Sequence, residues 1–276
     1  GGTVVVLLPG PPRELRPMFR QLVVESLADR TDGHRIHRRV MRITGRTESH
    51  VETMTYPIYS SWRPPGPSIE TTILSTLGQV ELHLSTRVSS MPEAEAALDL
   101  AVEELVAVLG CDVYTTVGLP LEQVVGDRLR ALSWRVALAE SCTGGLVASR
   151  LTDIPGSSTY FDLGVVTYAN AAKTDFLNVP TSLIEVHGAV SEPVALAMAS
   201  GVAIRAAAEI GVGVTGTAGP TGGTDAKPVG TVCVAVTGAA GERVRTFTFS
   251  GDRDVVKRQA SQAALDMLRR MLDAHG

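Results

Sequence analysis

Aromatic side chains make up only 4% of this 276-residue chain. Any core must therefore be built from Val, Leu, Ala and Ile rather than from stacked rings. Cysteine is equally scarce. Cys111, Cys142 and Cys233 are far apart, odd in number and without a CxxC, which excludes a disulfide framework or thiolate zinc site and points to a reducing, cytoplasmic setting. The six histidines form no HxH or HExxH pair, so no metal is expected. No apolar run approaches the roughly 20 residues of a membrane span, and no signal peptide precedes the strand-like opening GGTVVVLLPG. Basic surplus is missing too: a net charge of −4 and a pI near 5.9 argue against nucleic acid as a general partner. The cluster Arg35, Arg38, Arg39 and Arg42 reads as solvated positions flanking a strand. The chain also lacks an initiator Met, as a fragment or processed product would.

What is present is aliphatic and glycine-rich. Hydrophobic residues make up 44% of the chain, mean hydropathy is +0.15, and many of the 27 glycines sit where apolar runs end. This pattern favours an α/β protein with tight strand-to-helix turns. Thr3 to Leu8 reads as a strand and Arg13 to Ala28 as a helix. A lone pair of that kind cannot bury both faces, so residues 1–33 are expected to be the remnant of a partial α/β domain. Residues 34–117 read as a small α+β domain, with strands at Val40–Thr44, Ile69–Leu74 and Val80–Thr86 and helices at Glu48–Tyr59 and Met91–Leu109. Residues 118–276 carry alternating strands and helices, which predicts a three-layer α/β/α sandwich with a mixed sheet. In that region Ser191 is the expected N-cap of a helix running to about Glu209.

Chemistry concentrates in this last region. Glu140 to Gly145 joins a strand to a helix through small and hydroxyl residues. Its exposed N–H groups, with Ser141 and Thr143, form a candidate anion site; a plain tight turn is the simpler alternative. Gly216 to Gly223 is a second glycine-rich turn after a strand, and ligands in open α/β sheets bind beyond strand carboxyl ends. Ser158, in Ile154-Pro155-Gly156-Ser157-Ser158, is one candidate nucleophile. A strand from Phe161 to Tyr168 and one helical turn would bring Lys173 back toward it as base, once burial lowers the lysine pKa. Cys142 is the competing nucleophile, since a helix N-terminus depresses a thiol pKa; His187 is its nearest downstream base. Arg253 can bind a phosphate or carboxylate through two parallel bonds.

Seven ordered motifs then narrow these options. Ala139-Glu140-Ser141-Cys142-Thr143-Gly144-Gly145, Pro155-Gly156-Ser157-Ser158, Val166-Thr167-Tyr168-Ala169-Asn170, His187-Gly188-Ala189-Val190-Ser191-Glu192, Gly216-Thr217-Ala218-Gly219-Pro220, Lys227-Pro228-Val229-Gly230-Thr231 and Gly251-Asp252-Arg253 resemble the CinA C-terminal domain, the nicotinamide-nucleotide amidase family. The resemblance covers about Leu119 to Leu272. Upstream, Leu7 to Pro12 with Glu14 and Met18-Phe19 is similar to the end of that family's molybdopterin-binding-like domain, and Arg35 to Val113 to its connecting domain. Most of the first domain lies outside this sequence, so the ADP-ribose pyrophosphatase activity and metal dependence associated with it cannot be credited here.

The resemblance implies hydrolysis of nicotinamide mononucleotide to nicotinate mononucleotide and ammonia, without cofactor, by a homo-oligomer, expected to be a dimer. It implies Ser158 as nucleophile and Lys173 as base, with Tyr168 orienting them. Ser141, Thr143, Gly144, Gly145, Asn170, Gly216, Thr217 and Arg253 are then the expected substrate contacts, with the Thr143–Gly145 turn on the phosphate. The alternatives are a ligand-holding or competence-associated regulatory module, or a Cys142-dependent amidase.

Overall fold

A computed structural model describes residues 5–27, 34–62, 67–76 and 78–275. Residues 5–8 form no strand, contrary to the expectation for Thr3–Leu8, whose first two residues lie outside the described range. Among the described residues no strand pairs with them, and a strand without a ladder partner leaves its backbone groups to water. Helix α1 (Pro12–Leu22) follows and passes into a π-helical turn, Val23–Leu27, with no buried side chain in either; Ala28 lies outside the described residues.

The first sheet combines β1 (Arg35–Thr44), β2 (Ile69–Thr76), β3 (Gln79–Val88) and β4 (Val113–Thr115) in the order β2-β3-β1-β4. Strand β1 starts five residues before the expected Val40 because β3 pairs with it throughout, from Arg35↔Val88 to Thr44↔Gln79. The arginine cluster therefore lies within the strand rather than beside it. Arg39 pairs with Asp99 and Arg42 with Glu81. Alternate residues of β3 are buried, Leu82 and Leu84 among them. With Met41 and Ile43 they pack beneath α2 (Glu48–Tyr59) and α3 (Met91–Leu109), which contribute Val51, Leu98 and Leu105.

The second sheet has the order β6-β5-β7-β8-β9. Strands β5 (Val136–Glu140), β6 (Phe161–Val166) and β7 (Ile210–Gly216) run parallel, while β8 (Thr231–Gly238) and β9 (Gly241–Thr248) turn back antiparallel. It is thus a mixed sheet. On one face lie α4 (Leu121–Leu132), α5 (Leu146–Thr152) and α9 (Arg253–Asp273), packed on Val136 and Leu138. The opposite face carries α6 (Asn170–Leu177), α7 (Thr181–His187) and α8 (Glu192–Ala206), packed on Ala137 and Ala139. Burial on both faces explains why β5 is apolar at every position before Glu140. Helix α8 presses directly onto β7: a Cβ on Gly213 would lie 2.1 Å from the Ala195 carbonyl oxygen. This helix ends at Ala206, short of Glu209, because Ala207 adopts a left-handed conformation. Ser191 sits at its N-cap position, but its hydroxyl donates to the Gly188 carbonyl rather than accepting from the helix.

An ion network on the last turns of α9 joins the two sheets' units. Arg269, 2% exposed, donates to Asp266, Asp273 and the Cys111 carbonyl. Arg270 bridges Asp266 and Asp112, and Arg46 reaches Asp112 from the other side. Burial works to raise the Asp112 carboxyl, but the bonds from Arg270 and Arg46 outweigh it and hold it below the usual carboxylate range. Removing one member of a buried network leaves its partners desolvated. Arg269→Ala is therefore expected to lower the unfolding free energy by about 3–5 kcal/mol, read by urea denaturation. A loss under about 1 kcal/mol would mean the network acts like an exposed surface pair. Because the Asp112 pKa is depressed on folding, its contribution is full above the ordinary carboxylate pKa and lost as pH falls through the lowered value. Asp112→Asn should flatten that acid limb.

Candidate functional site

Three parallel strands, β5, β6 and β7, place Glu140, Val166 and Gly216 at one edge of the sheet. The first turn of α9 arrives at the same edge: Arg253 donates from Nη2 to the Tyr168 hydroxyl at 2.9 Å and from Nη1 to the Gly219 carbonyl at 2.8 Å. Between them lies a cavity of about 220 Å³ whose walls include Ser141, Tyr168, Asn170, Lys173, Thr217 and Arg253. A larger hollow of about 420 Å³ lies along α2, bordered by Thr47, Glu48, Ser49, Glu52 and Ile73; it brings no base to a nucleophile.

Lys173 is the centre of the cavity. It is 1% exposed, and its Nζ donates to the backbone carbonyls of Thr167 at 2.8 Å and Tyr168 at 3.2 Å, with Ser141 Oγ 3.3 Å away. Burial pushes the amine pKa below its ordinary value, offset in part by the neighbouring Cys142 thiol. No carboxylate lines the cavity to hold the charge in place. A neutral amine has two hydrogens and one lone pair. An ammonium would donate to all three neighbours, whereas a neutral amine gives its hydrogens to the two carbonyls, which can only accept, and turns its lone pair to the Ser141 hydroxyl. In the neutral form this is the arrangement a general base and its nucleophile require.

Ser158 is not part of it. The serine occupies an exposed 3₁₀ turn, Ser157–Thr159, ahead of β6, whereas Lys173 follows the far end of that strand. A six-residue strand spans roughly 20 Å, so the two side chains stand at opposite edges of the sheet. The expected Ser158–Lys173 pair does not meet; the serine beside Lys173 is Ser141, which was expected as a substrate contact. Tyr168 touches Lys173 through its main-chain carbonyl; its phenol, largely exposed, meets Arg253 instead.

The turn after Ser141 also departs from expectation. Glu140, 1% exposed, turns its carboxylate back onto α5, accepting from Gly145 N at 2.9 Å, Val147 N at 3.2 Å and Ala148 N at 2.8 Å. Gly144 N and Leu146 N are bonded to the Ser141 and Thr143 carbonyls. The helix start is thus filled by the chain's own carboxylate, and the N–H groups of Gly144 and Gly145 are not available to a phosphate. Thr143 is fully buried, and neither it nor the two glycines line the cavity. Sequence reasoning missed Glu140 as a structural acid. Its position, an acid closing an apolar strand just before a small-residue turn, was the available signal.

Gly216 and Thr217 line the opposite wall, anchored by Thr217 N to the Thr231 carbonyl and Gly230 N to the Thr217 carbonyl. Asn170 opens α6 at the rim. Cys142 also borders the cavity, but burial pushes its thiol up to about 12, the reverse of the expected activation. His187 lies at the end of α7, where its carbonyl accepts from Lys227, and its ring is not among the cavity walls. A cysteine nucleophile has no positioned imidazole here.

Comparison with known proteins agrees with the sequence motifs. The profile of the CinA C-terminal domain matches residues 119–272. A CinA-like protein of Koribacter versatilis is 45% identical over 268 residues, covering 97% of this chain and 64% of that protein. The crystal structure of the competence/damage inducible protein CihA from Agrobacterium tumefaciens superposes with a TM-score of 0.54 at 40% identity, covering 55% of this chain and 93% of that one. A CinA superfamily protein from Klebsiella pneumoniae gives a TM-score of 0.54 at 35% identity, covering 57% and 100%. The chain spans less than two thirds of the Koribacter protein's length.

The buried amine has a measurable thermodynamic signature. Between its depressed pKa and the ordinary 10.5, the unfolded chain holds a proton that the folded chain has released. Stability therefore rises with pH across that interval. Lys173→Met should remove this slope and stabilise the fold at neutral pH, read by urea denaturation at several pH values. Equal slopes in the two proteins would mean the amine stays charged when folded.

Proposed function

The chain belongs to the CinA family, and from that premise we propose that it is an amidohydrolase converting nicotinamide mononucleotide to nicotinate mononucleotide and ammonia. The observation that carries the reading is the Lys173 amine, buried between two carbonyls with its third direction on Ser141 Oγ. A pocket that merely held a ligand would have no use for a buried amine set against a hydroxyl. The walls supply Arg253 and no carboxylate, which suits a ligand of negative charge.

In this mechanism Ser141 Oγ attacks the carboxamide carbon while its proton passes to Lys173 Nζ. The tetrahedral intermediate collapses as Lys173 returns that proton to the departing nitrogen. The C–N bond breaks, ammonia leaves, and a Ser141 ester remains. Water then gives a proton to Lys173 and its oxygen to the carbonyl. As the ester bond breaks, the proton goes to Ser141 Oγ, and the product departs as the carboxylic acid, which gives its remaining proton to water. Donors for the intermediate's oxyanion must lie at this edge of the sheet, which excludes the Pro155–Ser158 turn. After Ser141, the N–H of Cys142, which borders the cavity, is bonded neither to a backbone carbonyl nor to Glu140, and the reading assigns it this role.

Ammonia release from nicotinamide mononucleotide tests the assignment. Ser141→Ala and Lys173→Ala should each lower kcat by about a thousandfold or more, while Ser158→Ala and Cys142→Ala stay within about twofold of the parent. As Lys173 loses its proton, log(kcat/KM) should climb with unit slope and level off at a pH below the ordinary lysine value. Full activity in Ser141→Ala would end the dyad reading.

A further inference from the structure

With the glycine turn closed to it, a substrate phosphate must find its charge elsewhere at this edge. We propose that Lys257, one helical turn beyond Arg253, forms with it the phosphate subsite and sets the preference for a phosphorylated ligand; this rests on the reading above that the cavity takes a nucleotide.

Positions four apart on a helix share a face. Val256 and Ala260 of α9 are buried in the core, leaving Arg253 and Lys257 directed toward the strand ends. Arg253 meets Tyr168, just after β6. Lys257 meets the turn after β5: a Cβ built on Gly144 would stand 3.7 Å from its Nζ. The two cations therefore span the ends of adjacent strands: Arg253 borders the cavity, and Lys257 stands against the turn that follows Ser141, forming a basic rim outside it. A nucleotide whose carboxamide reaches Ser141 would extend its phosphate outward to such a rim.

Neighbouring acids do not cancel these charges. Asp252 is occupied as the N-cap, accepting from Val255 N, and Asp254 pairs with Arg258. The Glu140 carboxylate accepts from three backbone N–H groups. Among the described residues ten arginines have a carboxylate within ion-pair distance, but neither Arg253 nor Lys257 does. Lysine itself is rare here, with three in the chain against 22 arginines. Lys173 lies within the cavity, Lys227 is tied to the His187 carbonyl, two residues before the Ala189–Val190 wall, and Lys257 stands at the turn after Ser141.

Calorimetric titration with ribose 5-phosphate, with ribose as control, tests the subsite without any amide chemistry. The parent protein should bind the phosphorylated sugar in preference to ribose. Lys257→Ala should weaken that binding by about tenfold or more, as expected for a charge-assisted bond, and Lys257→Arg should restore it to within about threefold. In ammonia-release assays, Lys257→Ala should raise KM for nicotinamide mononucleotide by a similar factor with kcat nearly unchanged, and leave kcat/KM for nicotinamide riboside as it was. Failure of the parent to prefer the phosphorylated sugar, or an unchanged Lys257→Ala titration, overturns the subsite. Phosphate-selective binding lost in Lys257→Ala, with no ammonia released by any variant, would uphold the subsite and reject the amidase instead.

Discussion

The site depends on one buried nitrogen. An amine removed from water keeps its proton only if something nearby repays the desolvation, and the cavity supplies no carboxylate to do so. The Thr167 and Tyr168 carbonyls fix the amine's direction without carrying a full negative charge. The same surroundings that make Lys173 costly to ionise therefore set its third direction on Ser141. Much of the architecture serves this condition. Strand β5 is buried on both faces, and its carboxyl end, from Glu140 through Thr143, remains inside the protein. The residue after β6 turns its carbonyl inward, and α6 brings Lys173 back to meet it.

Glu140 shows how placement of the nucleophile is secured. A helix that begins a short turn after Ser141 has unsatisfied N–H groups near that hydroxyl. A mobile anion could occupy them; here a carboxylate from the chain does so, bonded three times over within nine residues. The strand end, the serine and the helix start thereby become one rigid piece. The positive charge at the cavity comes from another element, α9, through Arg253.

Much of this was legible in the sequence. The apolar β5 run, the glycine-rich turns and the amphipathic last helix specify a layered α/β unit, because hydrophobic period and turn chemistry are local properties. Lys173 and Arg253 could be singled out for the same reason, each standing beside a strand end or helix start. The choice between Ser141 and Ser158 was not legible locally. Both serines lie in small-residue turns near strands; what separates them is which end of the sheet each turn occupies, and that follows from parallel pairing of β5 with β6 and β7. A serine preceding a strand and a lysine following it cannot meet, however well their spacing suits a helical return. The phosphate assignment failed for a related reason. A glycine turn at a helix start reads as an empty anion site until the preceding residue's carboxylate is seen to fold back into it.

Helix α9 connects the remaining parts. Its 21 residues extend about 30 Å, with Arg253 and Lys257 at one end and the Arg269–Arg270 network at the other. The small sheet is attached through that second end, by Asp112, Arg46 and the Cys111 carbonyl. Along its length Leu265 and Leu268 pack on the large sheet, so the helix cannot shift without disturbing that core. The Arg253 contacts at the cavity and the attachment of the neighbouring unit are therefore carried by one element.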